Sequence, residues 1–157
     1  MSRLPILLAA LIMPACHSPG MTGQEQPPLP IQQWRIQSEN GSMIIGLEVA
    51  TTPDEQAIGL MHRRHIGNAN GMAFVKDRPQ IGHVWMKDTY IPLDIIWVGK
   101  HHEVVGISIG TPFDKHIQQS PGPITSMIEL PQGSVQKFGI SVGMTISPVP
   151  PAKDSAE

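Results

Sequence analysis

Cysteine and charged residues are both scarce in this sequence. Cys16 is the only cysteine, so no disulfide can form within the chain. Asp, Glu, Lys and Arg make up 15% of the residues, compared with about 25% in typical soluble domains. The formal charge is −2, and the basic residues are scattered without forming a patch. Nucleic-acid binding and electrostatic attachment to a membrane are therefore not expected.

Motifs that mark common enzyme classes are also absent. The chain contains no Gly-x-Ser-x-Gly nucleophile elbow, no phosphate-binding loop and no dinucleotide fingerprint. Catalysis by cysteine is excluded if Cys16 is lipidated or removed by processing. No cofactor is predicted, and the sequence leans against an enzymatic function without excluding one.

Residues 1–15 have the pattern of a signal peptide. Arg3 provides the positive charge, and the apolar run Ile6–Met13 is too short to cross a bilayer as a helix. Cys16 follows Met-Pro-Ala and is similar to the lipidated first residue of bacterial lipoproteins, although the residues before it depart from the usual leucine and small residue. Ordinary signal cleavage near Cys16 is the alternative.

An exported protein on the periplasmic side of a membrane is therefore predicted. A lipid on Cys16 would be its attachment to the membrane, and His17 after it favours the outer membrane if the bacterium is Gram-negative. Residues 16–32 are rich in Pro, Gly and Gln and predict a disordered tether. A single globular domain over 33–148 and a polar tail over 149–157 complete the predicted organisation.

Alternating apolar residues dominate the predicted domain. Met43, Ile45, Leu47 and Val49 alternate with other residues, which predicts a half-buried strand. Other short strands are predicted at 34–38, 71–75, 81–87, 93–98, 104–109, 127–130 and 144–147. With a helix after Thr52 and a helical turn at 135–138, the pattern predicts an α+β fold. The expected architecture is a curved, mainly antiparallel β-sheet or partial barrel of short strands with two short helices.

The first helix has an explicit start. Thr52 is a predicted N-cap, Pro53 occupies the first helical position, and Glu55 completes a capping box. Further along, Gly110–Thr125 shows no periodicity and predicts a long loop. Such loops are often lids or binding loops, and a disordered insertion is the alternative.

Three segments together carry a family resemblance. They read G-L-M-H-R at Gly59–Arg63 followed by G-M-A-F-V at Gly71–Val75, W-M-K-D-T-Y-I-P-L-D at Trp85–Asp94, and E-L-P-Q-G-S-V-Q-K-F-G-I-S-V-G-M at Glu129–Met144. In this order they resemble the domain-of-unknown-function 192 family of small, often exported prokaryotic proteins. The resemblance implies a fold and a set of unusual residues but no reaction, because the family has no settled activity.

Two positions depart from the pattern of that family. Asp88 stands where the family usually has asparagine, and Met144 stands where it usually has aspartate. Roles that need a neutral amide at the first position, or a carboxylate at the second, are therefore not transferred to this chain.

Charged residues near the middle of the chain form the predicted site. Lys87, Asp88 and Asp94 interrupt an otherwise apolar stretch, where an unpaired buried charge would cost several kcal/mol. Because its neighbours are apolar, Asp94 is expected to point out of the core. We predict that Lys87, Asp94 and Arg63 approach one another as a ligand-binding site, with Asp88 at the rim and the loop at 110–125 overhead.

Two interpretations of these residues stay open at this point. They would form a ligand-binding or acid/base site if they converge in an open cleft, with Arg63 as a clamp for carboxylate or phosphate. The catalytic candidates in that case are Lys87, Asp88 and Asp94. Alternatively, Lys87 and Asp94 form a structural ion pair, Asp88 caps its own turn, and Arg63 is an ordinary helix-end charge.

Histidine and methionine raise the question of a metal site. The chain has seven His and nine Met, which are ligands that exported copper carriers use. His101 and His102 fall at a predicted hairpin tip, and His62 and His65 form the one reasonable local pair. The methionines fall where core residues are expected. No metal ligands are predicted.

The leading hypothesis is an envelope-anchored binding or accessory module without enzymatic activity. Its partner would be a small molecule, a glycan or an envelope protein. One alternative is a small envelope hydrolase that uses Asp88 and Asp94 with Lys87. The second alternative is periplasmic copper binding through His and Met side chains.

Overall fold

The structure is a computed structural model that describes residues 23–38 and 41–150. Its strands are β1 Ile31–Ser38, β2 Gly41–Ala50, β3 Gly71–Val84, β4 Leu93–Val98, β5 Val104–Gly110, β6 Gln118–Pro131 and β7 Thr145–Pro148. Its helices are α1 Pro53–Ile58 and α2 Ser134–Phe138. Neither helix, nor any other helical segment of the described ranges, has the length and hydropathy needed to cross a bilayer. The predicted signal peptide, Cys16 and most of the predicted tail lie outside these ranges.

All of these strands join one curled sheet in the order β5-β4-β6-β3-β2-β1-β7. Neighbouring strands are antiparallel, except that β2 and β3 are parallel. The curl brings the two ends of the sheet together: Glu103 bridges Thr145, and the Val104 N–H donates to the Met144 carbonyl at 2.7 Å. The predicted α+β fold, with a curved, mainly antiparallel sheet and two short helices, is confirmed.

The sheet carries an apolar core on each of its faces. The first core is enclosed by the curl and takes buried residues from every strand named above. The second lies on the other face of β3, β4 and β6, where Leu60 and Ile66 from the segment after α1 cover it. Because β4 is covered on both sides, all of its residues are buried. This explains why β4 reads as an apolar run rather than as an alternating strand.

Helix α1 begins as its sequence predicts. The Glu55 N–H donates to Thr52 Oγ1 at 3.2 Å, and the Glu55 carboxylate accepts from the Thr52 N–H at 2.9 Å. Backbone N–H groups of Thr52 and Thr51 hold the pKa of Glu55 below its usual value. The helix ends at Gly59, where an added Cβ would lie 3.1 Å from the ring of Phe74. The end of α1 therefore packs closely over β3.

The prediction of a long loop at 110–125 is wrong for most of these residues. Strand β6 already begins at Gln118 and pairs with the far end of β3, so the connecting loop covers only residues 111–117. Pro121, Gly122 and Pro123 hide the periodicity, and two register shifts in the β3–β6 ladder accommodate them. The same shifts allow the two strands predicted at 71–75 and 81–87 to form one strand.

The predicted tether also ends earlier than position 32. Gln26 is buried, and its side-chain amide donates to the Gly59 carbonyl at 2.8 Å. The Leu29 N–H donates to Glu48 Oε2 at 2.8 Å, and β1 then starts at Ile31. Residues 26–32 therefore belong to the domain. Composition did not predict this, because the segment is held by polar contacts to distant residues and not by apolar periodicity.

Candidate functional site

A cleft of about 290 Å³ opens between α1, β3, β6 and the segment that follows β3. Leu60, Phe74 and Met127 from the second core contribute to its apolar walls. Its polar and aromatic lining is Gln56, Lys76, His83, Trp85, Lys87, Thr89 and Glu129. The cleft thus joins an apolar interior to a rim that carries positive charge.

Glu129 is the most unusual residue of this cleft. It lies on β6 between its register partners Met72 on β3 and Ile95 on β4, and it is only 5% exposed. Strand alternation therefore turns its side chain into the second core. Within the described ranges, no donor hydrogen-bonds the Glu129 carboxyl, although that side chain lines the cleft.

Burial without a partner changes the protonation of this carboxyl. Desolvation raises the pKa of Glu129 from 4.5 to about 8, because the ionised form loses its hydration in an apolar site. At neutral pH the group is therefore mainly a neutral acid. A neutral carboxylic acid carries one O–H donor together with acceptor capacity on its oxygens. The floor of the cleft thus offers a hydrogen-bond donor that the protein itself does not use.

Two lysines supply the charge of the rim. Lys76 Nζ donates to Gln56 Oε1 at 2.7 Å, and partial burial lowers the pKa of Lys76 below its usual value. Lys87 Nζ lies 5.4 Å from the centre of the Trp85 ring and 4.0 Å from Asp88 Oδ2. The Lys87 and Asp88 side chains are 41% and 45% exposed, so this ion pair contributes little to stability.

The loop that carries Lys87 is held firmly by its neighbours. Asp88 has a φ of 53° in the left-handed region, and its carbonyl accepts from the His62 N–H at 2.8 Å. The Met86 N–H donates to the Asp114 carbonyl at 2.8 Å, and the Thr89 carbonyl accepts from the Phe113 N–H at 3.2 Å. Three separate loops thus meet beside the cleft. This rigid support is suited to a binding site, because the rim does not have to be ordered when a ligand enters.

The structure separates the residues that the sequence grouped together. Lys87 lines the cleft, whereas Asp88 contacts Lys87 at 4.0 Å and is not part of the cleft lining. Arg63 and Asp94 are not paired with Lys87: Arg63 pairs with Glu48, and the carboxylate of Asp94 contacts a backbone N–H. The prediction that Lys87, Asp94 and Arg63 approach one another is therefore wrong.

Asp94 points into the protein and not out of it. The residue is 6% exposed, and its Oδ2 accepts from the Val135 N–H at 2.8 Å at the start of α2. Its register partner is Leu130, the neighbour of Glu129, so Asp94 and Glu129 lie on opposite faces of the sheet. The expectation failed because β4 is covered on both faces and has no solvent side to which a charged residue could turn.

Arg63 serves the fold as a buried clamp. Its guanidinium meets the Glu48 carboxylate through two parallel contacts, Nη1–Oε1 at 2.8 Å and Nη2–Oε2 at 2.9 Å. Nη2 also lies 3.4 Å from the backbone carbonyls of Gln26 and Pro27. The carboxylate that Arg63 grips therefore belongs to β2. The sequence identified the right chemistry for Arg63, but the partner is part of the protein.

The histidines of the described ranges do not form part of a metal-binding group. In the described ranges, no three His, Cys, Asp or Glu side chains are arranged to hold a metal ion. His101 and His102 are exposed at the turn between β4 and β5, as predicted. Met72, Met86 and Met127 are buried in the second core, where methionine fills irregular space.

Sequence reasoning missed Glu129 as a site residue. The sequence marks it only as the first residue of a family segment and as part of the strand predicted at 127–130. The available signal was a glutamate between Ile128 and Leu130, an ionisable residue in an apolar strand. That signal indicates burial, but it does not reveal that the carboxyl faces a cleft.

Comparisons with known proteins agree with this architecture. The sequence profile of the domain-of-unknown-function 192 family, described as uncharacterised, matches residues 35–148. A structure from Sinorhizobium meliloti 1021, provisionally described as a transcription regulator, has a TM-score of 0.73 at 26% identity and covers 78% of this chain and 97% of its own. A protein of unknown function from Novosphingobium aromaticivorans DSM 12444 has a TM-score of 0.72 at 29% identity, covering 88% and 99%. No match was found among the curated proteins.

Proposed function

Since the chain belongs to the domain-of-unknown-function 192 family, which supplies a fold without an activity, we propose that it is an exported binding module whose cleft holds a small organic ligand. The observation that carries the proposal is the Glu129 carboxyl, buried and without a partner in the described ranges, at the floor of an open cleft. The residue is 5% exposed, but its carboxyl lines the cleft and is not sealed from it. A ligand in the cleft could therefore hydrogen-bond Glu129 directly.

The size of the cleft supports a small molecule as the ligand. Its volume of about 290 Å³ is near the lower limit of about 300 Å³ for small-molecule pockets. A glycan chain or a protein surface would need a longer groove or a larger exposed patch. Among the predicted partners, a small molecule therefore fits this site best.

Binding is favoured over hydrolysis because, within the described ranges, none of the polar residues that line the cleft hydrogen-bonds the Glu129 carboxyl. A hydrolytic site needs a nucleophile or a base in hydrogen-bond reach of its partner, and Glu129 has no such neighbour in the described ranges. Asp88 and Asp94, the two acids of the hydrolase alternative, also have separate partners. Asp88 contacts Lys87, whereas Asp94 is buried at the start of α2.

A cleft-filling substitution tests the binding function. Ala57 is exposed and lines the cleft, so Ala57→Trp should fill the entrance without disturbing the core. A diverse library of small metabolites is expected to contain compounds that raise the melting temperature of the wild type but not of Ala57→Trp. A ligand at ten times its Kd adds about 1.4 kcal/mol to the free energy of unfolding, which corresponds to roughly 3–6 °C in a domain of this size.

The matched control is Asp54→Trp, on the same helix but outside the cleft lining. It carries the same new side chain and should respond to ligands as the wild type does. Compounds that stabilise all three proteins equally would place binding elsewhere. A library without any stabilising compound would count against the cleft as a binding site.

We propose further that the domain is held at the cell envelope by a lipid on Cys16. The signal-like start and the residues around Cys16 support this, and the described domain begins to pack at Gln26, shortly after that cysteine. In a bacterium that expresses the full chain, the wild type should fractionate with membranes. Cys16→Ser should release it, since one substitution removes the acylated thiol. An unmodified mature N-terminus in mass spectrometry, or unchanged membrane association of Cys16→Ser, would refute the lipid anchor.

A further inference from the structure

We infer that the cleft binds a small carboxylic acid with an apolar body, taken up as its anion. The inference rests on the proposed binding function and specifies the chemical class of the ligand. Glu129 would donate a hydrogen bond to the ligand carboxylate, Lys76 and Lys87 would balance its charge, and the apolar part would lie against the second core. Each of these three roles follows from a separate property of the cleft.

The charges that face the cleft favour an anion. Lys76 and His83 reach it from β3, and Lys87 reaches it from the segment after β3. α1 contributes Gln56 and apolar residues, and β6 contributes Glu129 as the one acidic residue of the lining. Asp88 offsets part of the Lys87 charge from outside the lining. A ligand cation would therefore meet two ammonium groups in a partly desolvated space, where like charges repel more strongly than in water.

The floor of the cleft favours a carboxylate over a neutral polar group. An unpartnered O–H of Glu129 can donate to a negatively charged oxygen, and O–H···O⁻ bonds are short, about 2.5–2.7 Å, and roughly twice as strong as neutral ones. A neutral ligand group such as a hydroxyl would form a weaker hydrogen bond with the Glu129 O–H. The burial that keeps Glu129 protonated is the same feature that makes it a donor.

The walls of the cleft determine the rest of the ligand. Leu60, Phe74 and Met127 are buried core residues that reach the cleft, and Trp85 is 43% exposed beside it. An aromatic ring or a short hydrocarbon chain would cover this apolar surface. The volume of about 290 Å³ limits the body to roughly one ring or a short chain.

Three probes of similar shape but different charge test which ligand charge the cleft prefers. Phenylacetate, phenylacetamide and phenethylamine are titrated into the full chain by calorimetry at pH 6.5 and pH 9. Phenylacetate should bind at least tenfold more tightly than the other two at pH 6.5. Its affinity should fall at least fivefold at pH 9, because the pKa of Glu129 is about 8 and its ionised form repels the ligand carboxylate.

Variants assign this behaviour to named side chains. Glu129→Gln keeps a neutral donor but cannot ionise, so its affinity for phenylacetate should be a few-fold weaker at pH 6.5 and should no longer fall at pH 9. Lys87→Ala should weaken binding about tenfold at both pH values. The matched control is Lys100→Ala, at the exposed turn between β4 and β5, which should bind as the wild type does.

The results also separate this inference from the binding function on which it rests. Tighter binding of phenethylamine would overturn the ligand class and would mean that Glu129 binds as a carboxylate. Tighter binding of phenyl phosphate than of phenylacetate at pH 6.5 would assign the site to phosphates. If no carboxylate binds, but Ala57→Trp abolishes binding of other library compounds, the ligand class fails and the binding site stands. If both experiments are negative, both proposals fail.

Discussion

Replacing Arg63 with alanine is expected to lower the free energy of unfolding by about 3–5 kcal/mol. The Arg63 and Glu48 side chains are only 6% and 5% exposed, so the substitution would leave a carboxylate buried without its counter-ion. The backbone carbonyls of Gln26 and Pro27 would lose a hydrogen-bond donor as well. Urea denaturation followed by circular dichroism measures the loss directly.

Two further variants show whether the buried charge is the cause. Arg64→Ala removes the neighbouring guanidinium, which is exposed and lies 4.8 Å from the centre of the Tyr90 ring. Such a contact is worth about 0.5–1 kcal/mol, so this control should change little. The double variant Arg63→Met with Glu48→Leu removes both charges and should recover much of the loss. A loss below about 1 kcal/mol in Arg63→Ala would mean that water reaches the pair.

The second large effect is expected at Glu129 and depends on pH. Below pH 4.5 the Glu129 carboxyl is protonated in both the folded and the unfolded chain. Between pH 4.5 and about 8 the unfolded chain ionises while the folded chain keeps its proton, so the wild type loses stability as pH rises. Above this window both states are ionised and the loss is complete. Each pH unit within the window is worth about 1.4 kcal/mol.

Glu129→Gln removes this dependence because an amide cannot ionise. The variant should match the wild type within about 1 kcal/mol near pH 4.5 and should exceed it by several kcal/mol at pH 8. Denaturant melts at four pH values between these limits provide the comparison. The exposed residue Asp77 supplies the control, since Asp77→Asn should follow the wild-type profile at every pH. Parallel profiles for wild type and Glu129→Gln would show that Glu129 ionises normally in the folded protein.

The sequence was informative where residues close in the chain decide the structure. Helix α1 starts through contacts among Thr51, Thr52 and Glu55, so its signal was complete within a few positions. The hairpin of β4 and β5 was predicted at almost its observed bounds for the same reason. The order of three family segments identified the family over most of the domain.

Local sequence patterns were misleading where elements distant in the chain decide whether a residue is buried or paired. Asp94 was expected at the surface because its neighbours are apolar, yet both faces of β4 are covered. The apolar alternation of β6 is interrupted by Pro121 and Pro123, so the local pattern of its first half predicts a loop, although these residues pair with β3. The composition of residues 16–32 predicts a tether that includes Gln26, whereas the contacts of Gln26 to Glu55, Gly59 and Arg63 are distant in sequence and leave no local pattern.

The sequence by itself determined the α+β class, the start of α1, the family, and the presence of an ionisable residue within an apolar strand. Only the tertiary structure decided which acid faces a cleft. Strand alternation assigns Asp94 and Glu129 to opposite faces of the sheet, but it does not say what covers each face. The start of α2 covers Asp94 and donates a hydrogen bond to it, whereas the segments around Glu129 leave an opening and no donor within the described ranges. The difference between a structural carboxylate and a candidate ligand-binding acid therefore comes from the packing of elements far apart in the chain.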